Sequence, residues 1–198
     1  MAAPSTDFDP KRTALLVMDY QEGVLDRLAD ADELLGRVED AIADVRAHGG
    51  TIGYVRVAFT DDDYASVPAT NATFSAATRG RAMHDDDPST AIHKRLAPER
   101  GDIVVRKVRI GAMSTTDLDH RLRARGVNTL VLAGVHTSGV VLSTVIDAAD
   151  RDYRVFVLAD AVADPDPELH DLLLRKVFTR RATVIDAGDL HNLLESAS

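Results

Sequence analysis

A doubly wound α/β fold, with a six-stranded parallel sheet and helices on both faces, is the expectation for this chain of 198 residues. Three observations lead to it. Apolar runs of strand length recur along the chain, they are β-branched and continuous rather than alternating, and amphipathic stretches with helical spacing fill the gaps between them. Continuous apolar runs suit strands buried on both faces, and strand alternating with helix suits a parallel sheet covered on both sides.

The first run is TALLVMD, Thr13–Asp19, and an amphipathic helix over Asp30–His48 follows it, stopped by Gly49. TIGYVRVAF, Thr51–Phe59, reads as the second strand. From Thr60 to Gly101 no clear strand is legible: the segment carries DDDY, VPATNATF and HDDDPS before a helix-like STAIHKRL. So long an insertion in a compact domain is usually a lid, a binding loop or an oligomer contact, and its acidic runs, Asp61–Asp63 and Asp85–Asp87, read as solvated turns. DIVVRK, Asp102–Lys107, is the third strand, followed by a helix over Thr116–Arg125 that stops at Gly126. NTLVLAG, Asn128–Gly134, is the fourth, leading into a helix over Ser138–Asp150 that ends at the polar turn Arg151–Asp152. YRVFVLAD, Tyr153–Asp160, a helix over Pro167–Thr179 and the short strand ATVID, Ala182–Asp186, complete the series. No internal repeat interrupts it, so residues 1–198 read as one domain with a long insertion at about 60–101.

Composition narrows the function. With 45% hydrophobic and 28% charged residues the chain can bury a sizeable core. Its formal charge of -9 and isoelectric point near 5.2 argue against a nucleic-acid partner, which needs a basic face. With 0 Cys, thiolate chemistry, thiolate metal ligands and disulfides are excluded, and a reducing cytoplasmic location is expected. The opening MAAPSTDFDPKRT lacks the pattern of a secretory signal, and no apolar run approaches the roughly 20 residues that span a bilayer, so no membrane partner is expected. The histidines show no ligand spacing near a strand end; neither a metal nor another cofactor is expected.

In an open parallel sheet, ligands bind outside the carboxyl ends of the strands, where strand order reverses. With strand order 3-2-1-4-5-6, Asp19 at the end of the first strand faces the turn Val135–Val140 after the fourth, and Lys107 reaches in from an outer strand. A strand-terminal Asp is also a common turn or cap residue. Lys107 stands out in a chain whose other lysines are only Lys11, Lys94 and Lys176, since an ammonium is a compact point charge to set beside a carboxylate. Thr137 and Ser138 read as helix N-caps rather than nucleophiles. His136 reads as a packing or hydrogen-bonding residue, and is the best placed of the histidines.

LLVMDYQ, then VVRKVRIGAMSTTDLDHRL, then LVLAGVHTSGVVLSTVIDAADRDY and the ADAVAD segment together resemble the isochorismatase-like hydrolase superfamily, over essentially the whole chain. The resemblance implies a six-stranded parallel sheet, an acid matching Asp19, a lysine matching Lys107, a cis peptide at Val135–His136 that helps aim backbone N–H groups, and self-association as a homodimer or larger. It places the nucleophile at Val140. A thioester mechanism needs a thiolate, and valine offers only methyl groups. The Asp and two His of a nicotinamidase metal site have no counterpart in TDDDYASVPATN.

Cysteine is not universal in that superfamily: the isochorismatase branch cleaves a vinyl ether with the acid and the lysine. What the resemblance implies here is a cysteine-independent hydrolase of a small, carboxylated metabolite (vinyl ether, ester or amide). Asp19 would be the acid or base and Lys107 would hold a carboxylate or place water. The N–H groups of Gly139 and Val140 would form an anion cradle, and Tyr20, Phe59, Val135, His136 and Gly139 would contact substrate. Phe74 and the insertion are further candidates to line the pocket. The alternative is a noncatalytic member that binds small molecules or partners, which Val140 favours and the pair Asp19 and Lys107 opposes.

Overall fold

The computed structural model describes residues 8–26, 28 and 30–197; the amino-terminal residues read above as lacking a signal lie largely outside them. Each of the six apolar runs forms a strand: β1 (Thr13–Met18), β2 (Thr51–Val57), β3 (Ile103–Lys107), β4 (Thr129–Val135), β5 (Arg154–Ala163) and β6 (Thr183–Ile185). They make one sheet in the order β3-β2-β1-β4-β5-β6, and every pairing is parallel. The expected order therefore holds, with β1 and β4 side by side at the point where the order reverses.

The helices are α1 (Glu22–Leu25), α2 (Ala31–Ala47), α3 (Asp61–Ser66), α4 (Ser75–Arg79), α5 (Leu118–Ala124), α6 (Leu142–Asp150), α7 (Pro167–Leu172) and α8 (Ala187–Ser196). A wide π turn, Thr137–Val141, leads into α6, and another, Leu173–Val177, follows α7. Among the described residues no helix is long and apolar enough to cross a membrane. The expected helices between the strands are present, but STAIHKRL forms only two short 3-10 turns, Pro88–Thr90 and Lys94–Leu96, instead of a helix; α1, the two short helices of the insertion and α8 were not legible. α8 is announced only by Asp186, whose side chain accepts from Asp189 N. It buries Leu190 and Leu194, a face too narrow to stand out as a helical stripe.

Successive side chains of a strand point to opposite faces, and β1 is buried on both. Ala14, Leu16 and Met18 join a core with Leu118 and Leu122 of α5, Val145 and Ala148 of α6, and Phe178. Leu15 and Val17 join the opposite core with Leu35, Val38 and Val45 of α2 and Leu190 and Leu194 of α8. Each fully buried side chain of this size contributes about 1.5–3 kcal/mol. Gly134, late in β4, is where sheet and helix come closest: a Cβ there would stand 2.9 Å from Val141 Cγ2 and 3.2 Å from Met18 Cβ.

The insertion contains no strand, as expected, but its acidic runs are not free turns. Asp61–Asp63 opens α3, whose Thr60 and Asp63 cap each other reciprocally, and Asp63 pairs with Arg106. Asp85 pairs with Arg56 of β2. These contacts tie the insertion to the edge of the sheet above its carboxyl ends. A small aromatic cluster of Phe59, Tyr64 and Phe74 anchors the same segment from inside.

Candidate active site

Asp19 follows β1 directly. Its N–H donates to Val55 O at 2.8 Å, and its φ of 59° turns the chain sharply out of the strand, a left-handed conformation that Asp adopts more readily than most residues. Lys107 ends the edge strand β3 and reaches across β2: its Nζ lies 2.8 Å from Asp19 Oδ2, with the two side chains only 3% and 8% exposed. The same ammonium donates to Arg109 O at 3.3 Å. Asp19 Oδ1 is equally buried and has no hydrogen-bond partner among the described residues. Burial pushes the Asp19 carboxyl above its usual range; the charge of Lys107 and its hydrogen bond pull the other way, and burial prevails.

Both residues line a cavity of about 630 Å³, together with Val135, His136, Gly139 and Val140 from the turn after β4 and Phe74, Met83 and Thr90 from the insertion. The Val135–His136 peptide is cis, where the resemblance places it. Val140 is buried, lines the cavity and is part of the core cluster on that face of the sheet.

The backbone of this turn is more committed than expected. Ser138 N donates to Asp164 Oδ2 at 2.8 Å, and Gly139 N and Val141 N both donate to His136 O, at 3.1 and 3.4 Å. Of the two N–H groups expected to cradle an anion, that of Gly139 thus already has a protein acceptor. A carboxylate also stands at the start of the turn: burial works against ionisation of Asp164, yet hydrogen bonds from Ser138 and Asp166 hold its carboxyl below the usual value. Neither Thr137 nor Ser138 caps the helix with its hydroxyl; Thr137 Oγ1 lies 2.9 Å from His170 Nδ1, and Asp164 supplies the cap from across the turn.

Tyr20 and Phe59, expected to contact substrate, stand behind the walls instead. Tyr20 is buried in the core with its hydroxyl donating to Ala161 O, and Phe59 stacks on Tyr64 with ring centroids 5.7 Å apart. The apolar pull of a buried aromatic exceeds any preference for a pocket edge. Phe74, in contact with Phe59, is the aromatic that lines the cavity. A residue not expected is Gln21. Its Nε2 donates to Val57 O at 2.9 Å and Thr90 O at 2.7 Å, while its Oε1 accepts from Val57 N at 2.8 Å. It thereby fastens the insertion to the end of β2, at the wall of the cavity. The only signal for it in the sequence was its place, two residues after Asp19 in LLVMDYQ.

Comparison with known proteins places the fold and the family. The chain is 32% identical to the ureidoacrylate amidohydrolase RutB of Methylobacterium radiotolerans, covering 94% of this chain and 81% of that one. It is 32% identical to the phenazine biosynthesis protein PhzD of Pseudomonas fluorescens, covering 92% and 86%. The structure of a cysteine hydrolase from Pseudomonas syringae pv. phaseolicola superposes with a TM-score of 0.87 at 23% identity, covering 100% of both chains, a likeness of fold. The Isochorismatase domain model matches residues 13–189, from the first residue of β1 into α8. By that match over nearly the whole sheet and its covering helices, the chain belongs to the isochorismatase family of hydrolases, as a member without a cysteine.

Proposed function

We propose that this protein is a cysteine-independent hydrolase of a small carboxylated metabolite, with Asp19 as the proton-transfer group and Lys107 as its cationic partner. The observation that carries the reading is the state of Asp19: one oxygen is held by Lys107, the other has no protein partner, and burial keeps the carboxyl protonated to higher pH than usual. Such a group is a general acid in position beside a cavity. On a vinyl ether, Asp19 gives its proton to the terminal alkene carbon as the π electrons form the new C–H bond, leaving an oxocarbenium ion. Water placed by Lys107 adds to that ion and returns a proton to Asp19. The hemiketal then breaks its C–O bond to give a ketone and an alcohol. Val140 supplies an apolar floor where a thiol would otherwise stand.

The relative named for ureidoacrylate, an unsaturated carboxylate, supports small unsaturated carboxylates as the class to test. The test is turnover of carboxylated enol ethers, esters and amides by the wild type and by Asp19→Asn, followed by product chromatography. Turnover of an enol ether by the wild type and its loss in the variant is expected; turnover that survives Asp19→Asn would refute the mechanism. A second reading, a noncatalytic binding module, is favoured by Val140, and absence of wild-type turnover on all three substrate classes would select it.

A further inference from the structure

A second, smaller hollow adjoins the cavity of Asp19. It has a volume of about 300 Å³ and shares the wall residues Thr73, Phe74 and Ile110 with the larger one. The mechanism above uses nothing in it, yet its walls carry Arg109, Asn71, Ser114 and Ser143.

Arg109 is tied to the reaction centre through its backbone, because its carbonyl accepts from the Lys107 ammonium. The residue itself lines the smaller hollow. There Nη1 donates to Val108 O at 2.6 Å, and among the described residues no carboxylate lies within ion-pair distance of the guanidinium. Asp147 lines the same hollow, but its Oδ1 is held by Arg151 Nε at 2.8 Å. Asn71 uses its Oδ1 to accept from Phe74 N, which leaves its amide NH₂ as a donor. The hydroxyls of Ser114 and Ser143 add two more donors. A cation with a planar fork, set beside neutral donors and with the carboxylate of the hollow, Asp147, held by Arg151, suits a carboxylate.

Among the described residues no arginine lines the larger cavity. There the Lys107 ammonium already donates to Asp19 and to Arg109 O, and the N–H groups of Ser138, Gly139 and Val141 have protein acceptors. We propose that the hollow around Arg109 is the carboxylate subsite, so that the substrate carries its charge apart from the scissile bond, with its middle passing between Phe74 and Ile110. This rests on the hydrolase reading for its purpose, though not for its binding chemistry, and it keeps Lys107 beside Asp19 for the placing of water.

The test uses a matched pair of probes, phenoxyacetate and phenoxyacetamide, whose dissociation constants are measured by ligand-detected NMR on the full chain. The wild type is expected to prefer the carboxylate about tenfold or more, as for a hydrogen bond to a charged group. Arg109→Gln, at a half-buried position, is expected to erase the preference; Asp19→Asn is expected to keep it. Equal binding of the two probes by the wild type, or a preference that survives Arg109→Gln, would overturn the proposal. Because binding is read without turnover, the subsite stands or falls separately from the hydrolase reading, whose failure shows only in the product assay.

Discussion

Asp19 is subject to two opposed influences, and their balance decides what it can do. The neighbouring ammonium favours the carboxylate and burial favours the acid; burial prevails. A general acid works only while protonated, so kcat/KM should be level at low pH and fall as pH rises through the raised Asp19 value, with no such limb in Asp19→Asn. That variant should lose about a hundredfold to ten-thousandfold in rate, the usual contribution of a positioned acid. Stability carries the same sign. A carboxyl whose folded pKa is raised contributes fully below its unfolded value and loses that contribution as pH rises through the folded one. Equilibrium denaturation across pH should therefore show a decline in the wild type that Asp19→Asn lacks. Val140 poses the complementary question. Val140→Ala should leave the chemical step intact and alter substrate fit, seen as a change in KM with kcat retained. Val140→Cys should introduce weak amidase activity, detectable as ammonia release, because it places a thiol beside the acid and the lysine.

At the level of strands and loops, two contacts hold the site in shape. Gly134 lets the turn after β4 lie against β1, and a methyl group there would be 2.9 Å from Val141 Cγ2. Gly134→Ala should cost about 1–3 kcal/mol, the usual penalty of overpacking, measured by urea denaturation. Gln21 binds the insertion to β2 through three hydrogen bonds. Gln21→Leu would remove the side-chain partners of the buried Val57 N–H and C=O and leave Thr90 O with only the longer bond from Arg56, at about 1–3 kcal/mol for each buried group left unpaired. Faster amide exchange should then appear around Thr90 and at Val57 while the centre of β1 stays protected; unchanged exchange at those positions would show that Gln21 does not hold the insertion.

The fold as a whole sets the site by topology: parallel strands end in a row, and the reversal of order between β1 and β4 opens the crevice there. Self-association is a proposal at this level, based on the family resemblance and on the insertion as a contact surface. Light scattering at micromolar concentration should give a multiple of 21.4 kDa, and a monomer would exclude it.

The six strands and the residues that end them were legible beforehand, because buried β-branched runs are local features; their order, and with it the convergence of Asp19, Lys107 and the Val135–Val140 turn, was expected only by assuming the usual doubly wound order and from the family resemblance. The absence of a thiol was legible from composition alone. Other features were settled only by tertiary packing. Tyr20 and Phe59 went into the walls, the Gly139 N–H went to His136, Asp164 became the cap of Ser138, Gln21 became a fastener, and Arg109 came to line a second hollow. The upward push on the Asp19 pKa belongs with these. Adjacent residues cannot reveal it, because desolvation is a sum over every segment that closes around the carboxyl, and those segments come from β1, β3, the turn after β4 and the insertion, far apart in the chain and joined only when the sheet is assembled.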